Sequence, residues 1–211
     1  MKWIRIPVGP LKANAYILSN EDNTCVIIDP GGESDKINQY IIKHRLFPKA
    51  VLLTHAHFDH IGAVDEVRSK WSIPLYLHHE EKDWLTNTEL NRSSLPGRIK
   101  TTAKPADFLI EEEGEIHIDS FSFKVLFTPG HSPGSVSYYM EHENIIISGD
   151  VLFKDGIGRT DIIGGNQNIL MQTIQEKMFN LPEKTLVLSG HGDVTDIQTE
   201  RKQNPFLKKI K

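Results

Sequence analysis

The sequence predicts a mixed α/β fold in which two strand-rich blocks form two facing β-sheets with helices beside them. Three observations support this. Short apolar or alternating runs, bounded by Gly, Pro, Asn and Asp, recur from Trp3 to Ile28 and again from Phe108 to Ile147. Around residues 34–44, 61–70 and 167–180, apolar residues return at helical spacing. Residues able to ligate a metal stand just past the ends of several predicted strands.

In chain order, Trp3 to Val8, Ala13 to Leu18 and Thr24 to Ile28 read as strands, separated by the Gly9-Pro10 and Ser19–Asn23 turns. Ser34 is a plausible N-cap for a helix through Ile42. Ala50 to Leu53 is a buried strand, a helix runs from Ile61 to about Lys70, and Pro74 to Leu77 resumes strand. His78 and His79 then read as polar strand-end residues. Thr86 to Pro105 is long, polar and rich in breakers, a loop fit to form part of a substrate wall. Phe108–Ile110 and Glu115–Ile118 alternate as half-buried antiparallel strands do, and Phe121–Phe127, Val136–Met140 and Ile145–Ile147 follow. His117 and His142 fall among them as surface residues. Gln167 to Leu181 reads as a helix and Thr185 to Leu188 as the last strand.

Bulk properties narrow the function. A chain of 211 residues is long enough for a substantial core and is expected to form one domain over 1–211. The net charge of −4, spread along the chain, gives no electrostatic footprint for nucleic acid or an anionic membrane. Cys25 stands alone in an apolar run and reads as a small buried hydrophobe in a reducing compartment. No stretch reaches membrane-spanning length, so the expectation is a soluble, cytoplasmic protein with a small-molecule substrate.

The segment Thr54-His55-Ala56-His57-Phe58-Asp59-His60 organises the rest. It places three histidines and an aspartate within six residues, on a strand-to-helix loop. In extended chain His55 and His57 project the same way, and the turn into the helix aims Asp59 and His60 at a neighbouring point. One segment can thus serve two adjacent metals, and later strand ends supply further ligands. His131 follows Val125–Phe127, Asp150 ends Ile145–Gly149, and His191 follows Leu186–Gly190, each adjoined by glycine. Asp29, after the third strand, either holds a ligating histidine or is a turn aspartate.

This pattern resembles the metallo-β-lactamase superfamily over nearly the whole chain, from Asp29-Pro30-Gly31-Gly32 to Asn204-Pro205. Within it, Gly156–Asp161 and the Thr199-Glu200-Arg201 and Asn204-Pro205 tail are similar to the glyoxalase II-like, hydroxyacylglutathione hydrolase-like enzymes. The resemblance implies an αββα sandwich of two mixed β-sheets flanked by helices. It implies one metal held by His55, His57 and His131, and a second by Asp59, His60 and His191, with Asp150 bridging. It also matches Arg159 to a basic residue that holds substrate. With Lys211 only 20 residues past His191, the expectation is a protein without the helical C-terminal domain of full-length glyoxalase II, which opens the way to a thiol other than glutathione.

The ligand set implies the chemistry. Two divalent metals, best matched by zinc but compatible with iron or manganese, can share a hydroxide at neutral pH and polarise a carbonyl. Asp59 is placed both to ligate and to orient that hydroxide. A thiol has a pKa near ~8.5, so a thiolate leaves with little help from an acid and a thioester is the natural substrate. Arg159 either binds a substrate carboxylate or pairs with Asp161. The rival readings are a mononuclear-iron persulfide dioxygenase, suggested by Gly158–Asp161, and a lactonase or β-lactamase.

Overall fold

The structure, a computed structural model, describes residues 1–207. Its contacts divide the chain into two compact units, Met1–Glu111 with His117–Phe121, and Glu112–Ile116 with Ser122 onward.

The first unit holds a six-stranded mixed sheet. Strands β1 (Lys2–Val8), β2 (Ala13–Ser19), β3 (Thr24–Ile28), β4 (Phe47–Leu52), β5 (Leu75–His78) and β6 (Phe108–Ile110) lie side by side in sequence order. The first three pair antiparallel through short turns, while β3 to β6 run parallel. Parallel strands need crossovers, and the chain supplies them as helices. Helix α1 (Ser34–Lys43) buries Ile37 and Ile41 one turn apart, and helices α2 (Phe58–Ile61) and α3 (Val64–Trp71) join β4 to β5. All five residues of β3 are buried, as a continuous apolar run in a covered parallel strand should be. Ile27 and Val51 of the sheet share one core with Ile37, Ile41, Val64 and Val67 of the helices. Burying a side chain of this size contributes roughly 1.5–3 kcal/mol. Cys25 belongs to this core, and burial pushes its thiol up to about 12, so it is a packing residue as expected.

The second unit carries β7 (Gly114–Ile118), which the unit division crosses, β8 (Phe121–Phe127), β9 (Val136–Met140) and β10 (Ile145–Gly149). A short hairpin follows, β11 (Leu152–Phe153) with β12 (Gly156–Ile157). Then come helix α4 (Gln167–Thr173), strands β13 (Leu186–Ser189) and β14 (Thr195–Asp196), and helix α5 (Ile197–Gln203). The sheet order is β14-β13-β10-β9-β8-β7, mixed because β10 pairs parallel with β13 but antiparallel with β9. Ile146 and Val187 of this sheet pack with Leu170, Ile174, Met178 and Ile197 of the helices. Among the described residues no helix is long and apolar enough to cross a membrane.

Several elements differ from expectation. The helix after the histidine-rich segment starts at Phe58, not Ile61, and breaks at Gly62-Ala63. The backbone of Pro30-Gly31 enters the break: Ala63 N–H donates to the Pro30 carbonyl at 2.9 Å, and a Cβ on Gly62 would stand 2.4 Å from the Gly31 carbonyl oxygen. Helix α1 starts at Ser34 but is capped by Glu33 in the left-handed conformation, and the Glu33 carboxylate accepts the Gly9 N–H instead. Phe108–Ile110 was expected to be antiparallel. It is a parallel edge strand because the chain between His79 and Asp107 crosses over before joining β5. Its Phe108 and Leu109 are exposed for the same reason. The expected helix over 167–181 is α-helical only to Thr173 and closes in a π-turn, Ile174–Met178.

His78 is buried at the end of β5, where its Nδ1 accepts the Glu80 N–H and starts the 3-10 helix His79–Leu85. Burial pushes its imidazole down to about 4, reinforced by His79 and opposed by Glu80 and Glu111. The unfolded chain therefore binds the His78 proton more readily than the folded one. Stability owed to neutral His78 should be complete above about pH 6.5 and drain away as the pH falls toward 4. Denaturant titrations across that window should show a shallower pH slope in His78→Asn than in the parent chain.

Candidate metal centre

Parallel neighbours β3 and β4 end at the same level, which sets Asp29 beside Thr54. The two Asp29 carboxylate oxygens accept the Thr54 N–H at 2.8 Å and the Thr54 hydroxyl at 2.6 Å. Asp29 Oδ2 also faces His60 Nδ1 at 3.0 Å. A carboxylate can only accept here, so His60 carries its proton on Nδ1 and offers the lone pair of Nε2. The Thr54 hydroxyl proton is committed to Asp29, so Thr54 Oγ accepts from His55 Nδ1 at 3.1 Å, and His55 too presents Nε2. The His55 and His57 rings lie 4.8 Å apart, the His55 and His60 rings 4.2 Å. Asp59 Oδ2 stands 3.9 Å from His60 Nε2. Ligand atoms of Asp29, His55 and His60 fall within 4.8 Å of one another, but the hydrogen bonds of Asp29 make it the residue that orients the other two.

This packing depends on close backbone approach. A Cβ on Gly31 would lie 1.6 Å from the Asp59 carbonyl oxygen, so only glycine lets the Pro30–Gly32 turn lie against the metal segment. Between His55 and His57, Ala56 N–H donates to the fully buried Glu81 carboxylate at 2.5 Å. The 86–105 loop lies on the same segment. Asn91 is buried, its side chain ties Trp84 and Thr101, its carbonyl accepts the Phe58 N–H, and the Arg98 guanidinium sits 4.4 Å above the Phe58 ring.

The second unit holds the remaining candidates. Strands β10 and β13 are parallel neighbours, and Gly190 N–H donates to the Gly149 carbonyl just beyond their ends. Asp150 and His191 therefore emerge next to each other, with His191 Nε2 3.6 Å from Asp150 Oδ2. On the other side His131 Nε2 stands 3.5 Å from the same oxygen. His131 Nδ1 donates to the Arg159 carbonyl at 2.8 Å, an acceptor only, which fixes Nε2 as the open nitrogen. The Arg159 side chain turns outward and forms a two-bond pair with Asp161, both at 2.8 Å. Of the two expectations for Arg159, this is the one made with Asp161.

These donors fit a divalent metal. Separations of 3.5, 3.6 and 3.9 Å between imidazole nitrogens and carboxylate oxygens are long for charge-assisted hydrogen bonds. They approach the roughly 3.4 Å edge of a tetrahedron built from metal–ligand bonds of about 2.1 Å. The imidazoles of His55, His60 and His131 are buried and their second nitrogens engaged, as metal-binding histidines usually are. All seven candidate ligands lie beyond strand ends, in two groups: His55, His57, Asp59 and His60 in the first unit, and His131, Asp150 and His191 in the second. The sequence reading did not find Thr54, Glu81 or the Arg159 carbonyl. Thr54 had a signal, since it adjoins the histidines, but a backbone carbonyl has none.

Comparison with known proteins gives the family. The family model described as metallo-beta-lactamase superfamily matches residues 8–191. The probable metallo-hydrolase YqgX of Bacillus subtilis (strain 168) is 63% identical over 207 residues, covering 98% of each chain. The hydroxyacylglutathione hydrolase GloC of Haemophilus influenzae is 34% identical, covering 96% of each. Among solved structures, the BLEG-1 B3 metallo-beta-lactamase superposes with a TM-score of 0.96 at 52% identity over 98% of this chain and 100% of that one. TTHA1623 in a di-iron-bound form gives 0.86 at 36% identity, covering 97% and 100%. ETHE1 from Myxococcus xanthus gives 0.79 at 28% identity, covering 97% and 84%.

The chain belongs to the metallo-β-lactamase superfamily and has its αββα fold of two mixed sheets with helices, as the sequence implied. It is a metal-dependent hydrolase of that superfamily.

If Asp29 sets the His60 tautomer, Asp29→Asn should be nearly as harmful as Asp29→Ala. The amide would present N–H to His60, moving the ring proton to Nε2 and removing the lone pair a metal needs. Each variant should bind zinc roughly 10–100-fold more weakly, measured by competition with a chromophoric chelator. Wild-type affinity in Asp29→Asn would contradict the assignment.

Proposed function

We propose that this chain is a binuclear metallo-hydrolase of small acidic thioesters, S-lactoylglutathione or a relative carrying another thiol. The similarity to GloC, named a hydroxyacylglutathione hydrolase, over nearly the full length of both chains carries the choice of substrate class. In this reading His55, His57 and His131 would hold one metal and Asp59, His60 and His191 the second, with the Asp150 carboxylate available to both. Divalent cations so placed supply Lewis acidity toward the acyl oxygen and make water nucleophilic near neutral pH. Zinc suits the donors, and iron or manganese remains compatible with them.

The chain's own groups do the rest. Asp59 is partly exposed, with 14% of its side chain accessible, and orients the attacking water by accepting its hydrogen bond. The proton-fixing partners Asp29, Thr54 and the Arg159 carbonyl leave Nε2 of three imidazoles to ligate, and a lone pair spent on a metal would not compete with Asp59 for that water. The leaving thiolate, with a pKa near ~8.5, departs without a dedicated acid. Arg159 receives an anionic group of the substrate by exchanging Asp161 for it, the two groups competing for one guanidinium fork.

A second reading keeps iron in view. TTHA1623 was solved in a di-iron-bound form, and ETHE1 also superposes on most of this chain. A mononuclear-iron persulfide dioxygenase is the alternative, and it consumes oxygen whereas the hydrolase does not.

Metal-stripped protein should cleave S-lactoylglutathione only after zinc, iron or manganese is restored, followed by loss of thioester absorbance. Cleavage that survives metal removal contradicts the reading. Oxygen uptake with a persulfide and no thioester turnover would replace it with the dioxygenase. In the active enzyme Arg159→Ala should raise KM by up to about tenfold, below the full worth of a charged hydrogen bond because the pair is exposed. Asp161→Ala should lower KM for anionic substrates by freeing the guanidinium. An unchanged KM in both variants would remove Arg159 from substrate binding.

A further inference from the structure

The C-terminal segment from Thr195 contains a fully buried carboxylate, Glu200, with three donors around it. Its Oε1 accepts the Thr195 hydroxyl at 2.5 Å. Its Oε2 accepts the Asp155 N–H at 3.0 Å and the Asn204 amide at 2.8 Å. The Asn204 amide also donates to the Gly156 carbonyl at 3.0 Å, and Asn204 is buried as well. Glu200 and Asn204, one helical turn apart across the end of α5, thus grip both polar groups of the Asp155–Gly156 turn in the β11–β12 hairpin.

What lies just beyond that turn gives the grip a purpose. Gly158, two residues on, packs so closely that a Cβ would meet the Asp150 carbonyl oxygen at 1.9 Å and the His131 Cβ at 3.1 Å. Its N–H donates to the Val151 carbonyl, next to Asp150. Arg159, three residues on, gives its carbonyl to His131 Nδ1. The 155–159 strip is therefore held at one end by α5 and bears at the other on two candidate metal ligands. A buried carboxylate costs several kcal/mol to desolvate unless it is well bonded, so a mere tether would be built more cheaply from apolar residues.

We propose that Glu200 and Asn204 are positioning residues for the metal ligands His131 and Asp150, acting through the 155–159 strip. This rests on metal binding by the chain and not on the identity of its substrate. The strip sets the distance and direction of the Arg159 carbonyl, which fixes the His131 tautomer and ring plane. It also sets the backbone position of Asp150 through Gly158.

The test uses the full chain, stripped of metal and titrated with Co2+ and Zn2+. The visible Co2+ bands report coordination geometry, chelator competition reports affinity, and thermal melting of the metal-free protein reports folding. Glu200→Ala and Asn204→Ala should each weaken metal binding roughly tenfold or more and alter the Co2+ bands. Glu200→Gln should bind nearly as the parent does: its amide oxygen still serves Asp155 and Asn204, and its N–H can donate to Thr195 Oγ, which accepts instead. Ile197→Ala opens a cavity under the same helix without touching the clamp. It should lower the melting temperature and leave metal affinity unchanged.

Parent-like affinity and bands in both alanine variants would overturn the proposal. So would affinity losses that Ile197→Ala matches at equal loss of stability. If only one alanine variant folds, that one decides, and failure of both to fold also overturns it, because the pair would then serve the fold and not the ligands. Absence of metal binding by the parent chain would instead strike the metal reading beneath it.

Discussion

A neutral imidazole has one proton and one lone pair, and a metal can use only the lone pair. The site depends on spending the proton inside the protein. His60 gives its Nδ1 proton to Asp29, His55 to the Thr54 hydroxyl, and His131 to the Arg159 carbonyl. Each partner sits where it does for a reason of fold. Asp29 and Thr54 follow two parallel strands that end together, and the Arg159 carbonyl is carried on a strip packed against Asp150. Removing any of these partners would leave the ligand present but pointing its proton where the metal should be.

Each unit prepares its ligands in the same way, with strand ends for position and a glycine contact for closeness. In the first, the Pro30–Gly32 turn presses on Asp59 and splits the following helix in two. In the second, β10 and β13 bring Asp150 and His191 side by side, and Gly158 closes on Asp150. The difference lies in the outer support. The first unit uses the buried Glu81 on the backbone between two histidines. The second uses Glu200 and Asn204 on the strip beneath His131. In both cases a buried carboxylate accepts a backbone N–H, Ala56 for Glu81 and Asp155 for Glu200, which fixes chain position without adding a competing ligand.

Much of this was legible in the sequence because it is local. Apolar runs located the strands, and glycine-flanked His131, Asp150 and His191 stood out as ligand types in turn contexts. Asp29 was legible only as an alternative, since its role needs the register of β3 on β4. The parallel pairing of Phe108–Ile110, the break at Gly62-Ala63 and the burial of His78 were not legible. Each is set by a neighbour distant in sequence: β5 for the edge strand, Pro30-Gly31 for the break, and β6, which pairs Ile110 with His78, for the histidine. Helix α5 is short, and its Asp196 cap accepting the Thr199 N–H is a weak signal. Its Glu200 was legible only as part of a tail similar to the glyoxalase II-like enzymes, because only the tertiary structure brings Asp155 to it.

The donors are mixed nitrogen and oxygen, with one carboxylate oxygen near two imidazole nitrogens in the second unit. Such a set is consistent with more than one first-row metal, which makes metal count and position more informative than metal identity. Anomalous diffraction at the metal absorption edge, from crystals of the metal-loaded protein, tests the central claim most directly. The account predicts two anomalous peaks per chain, one bonded to His55, His57 and His131, the other to Asp59, His60 and His191, with Asp150 bonded to both. A single peak in fully loaded crystals, or a peak that leaves Asp150 outside bonding distance, would contradict it.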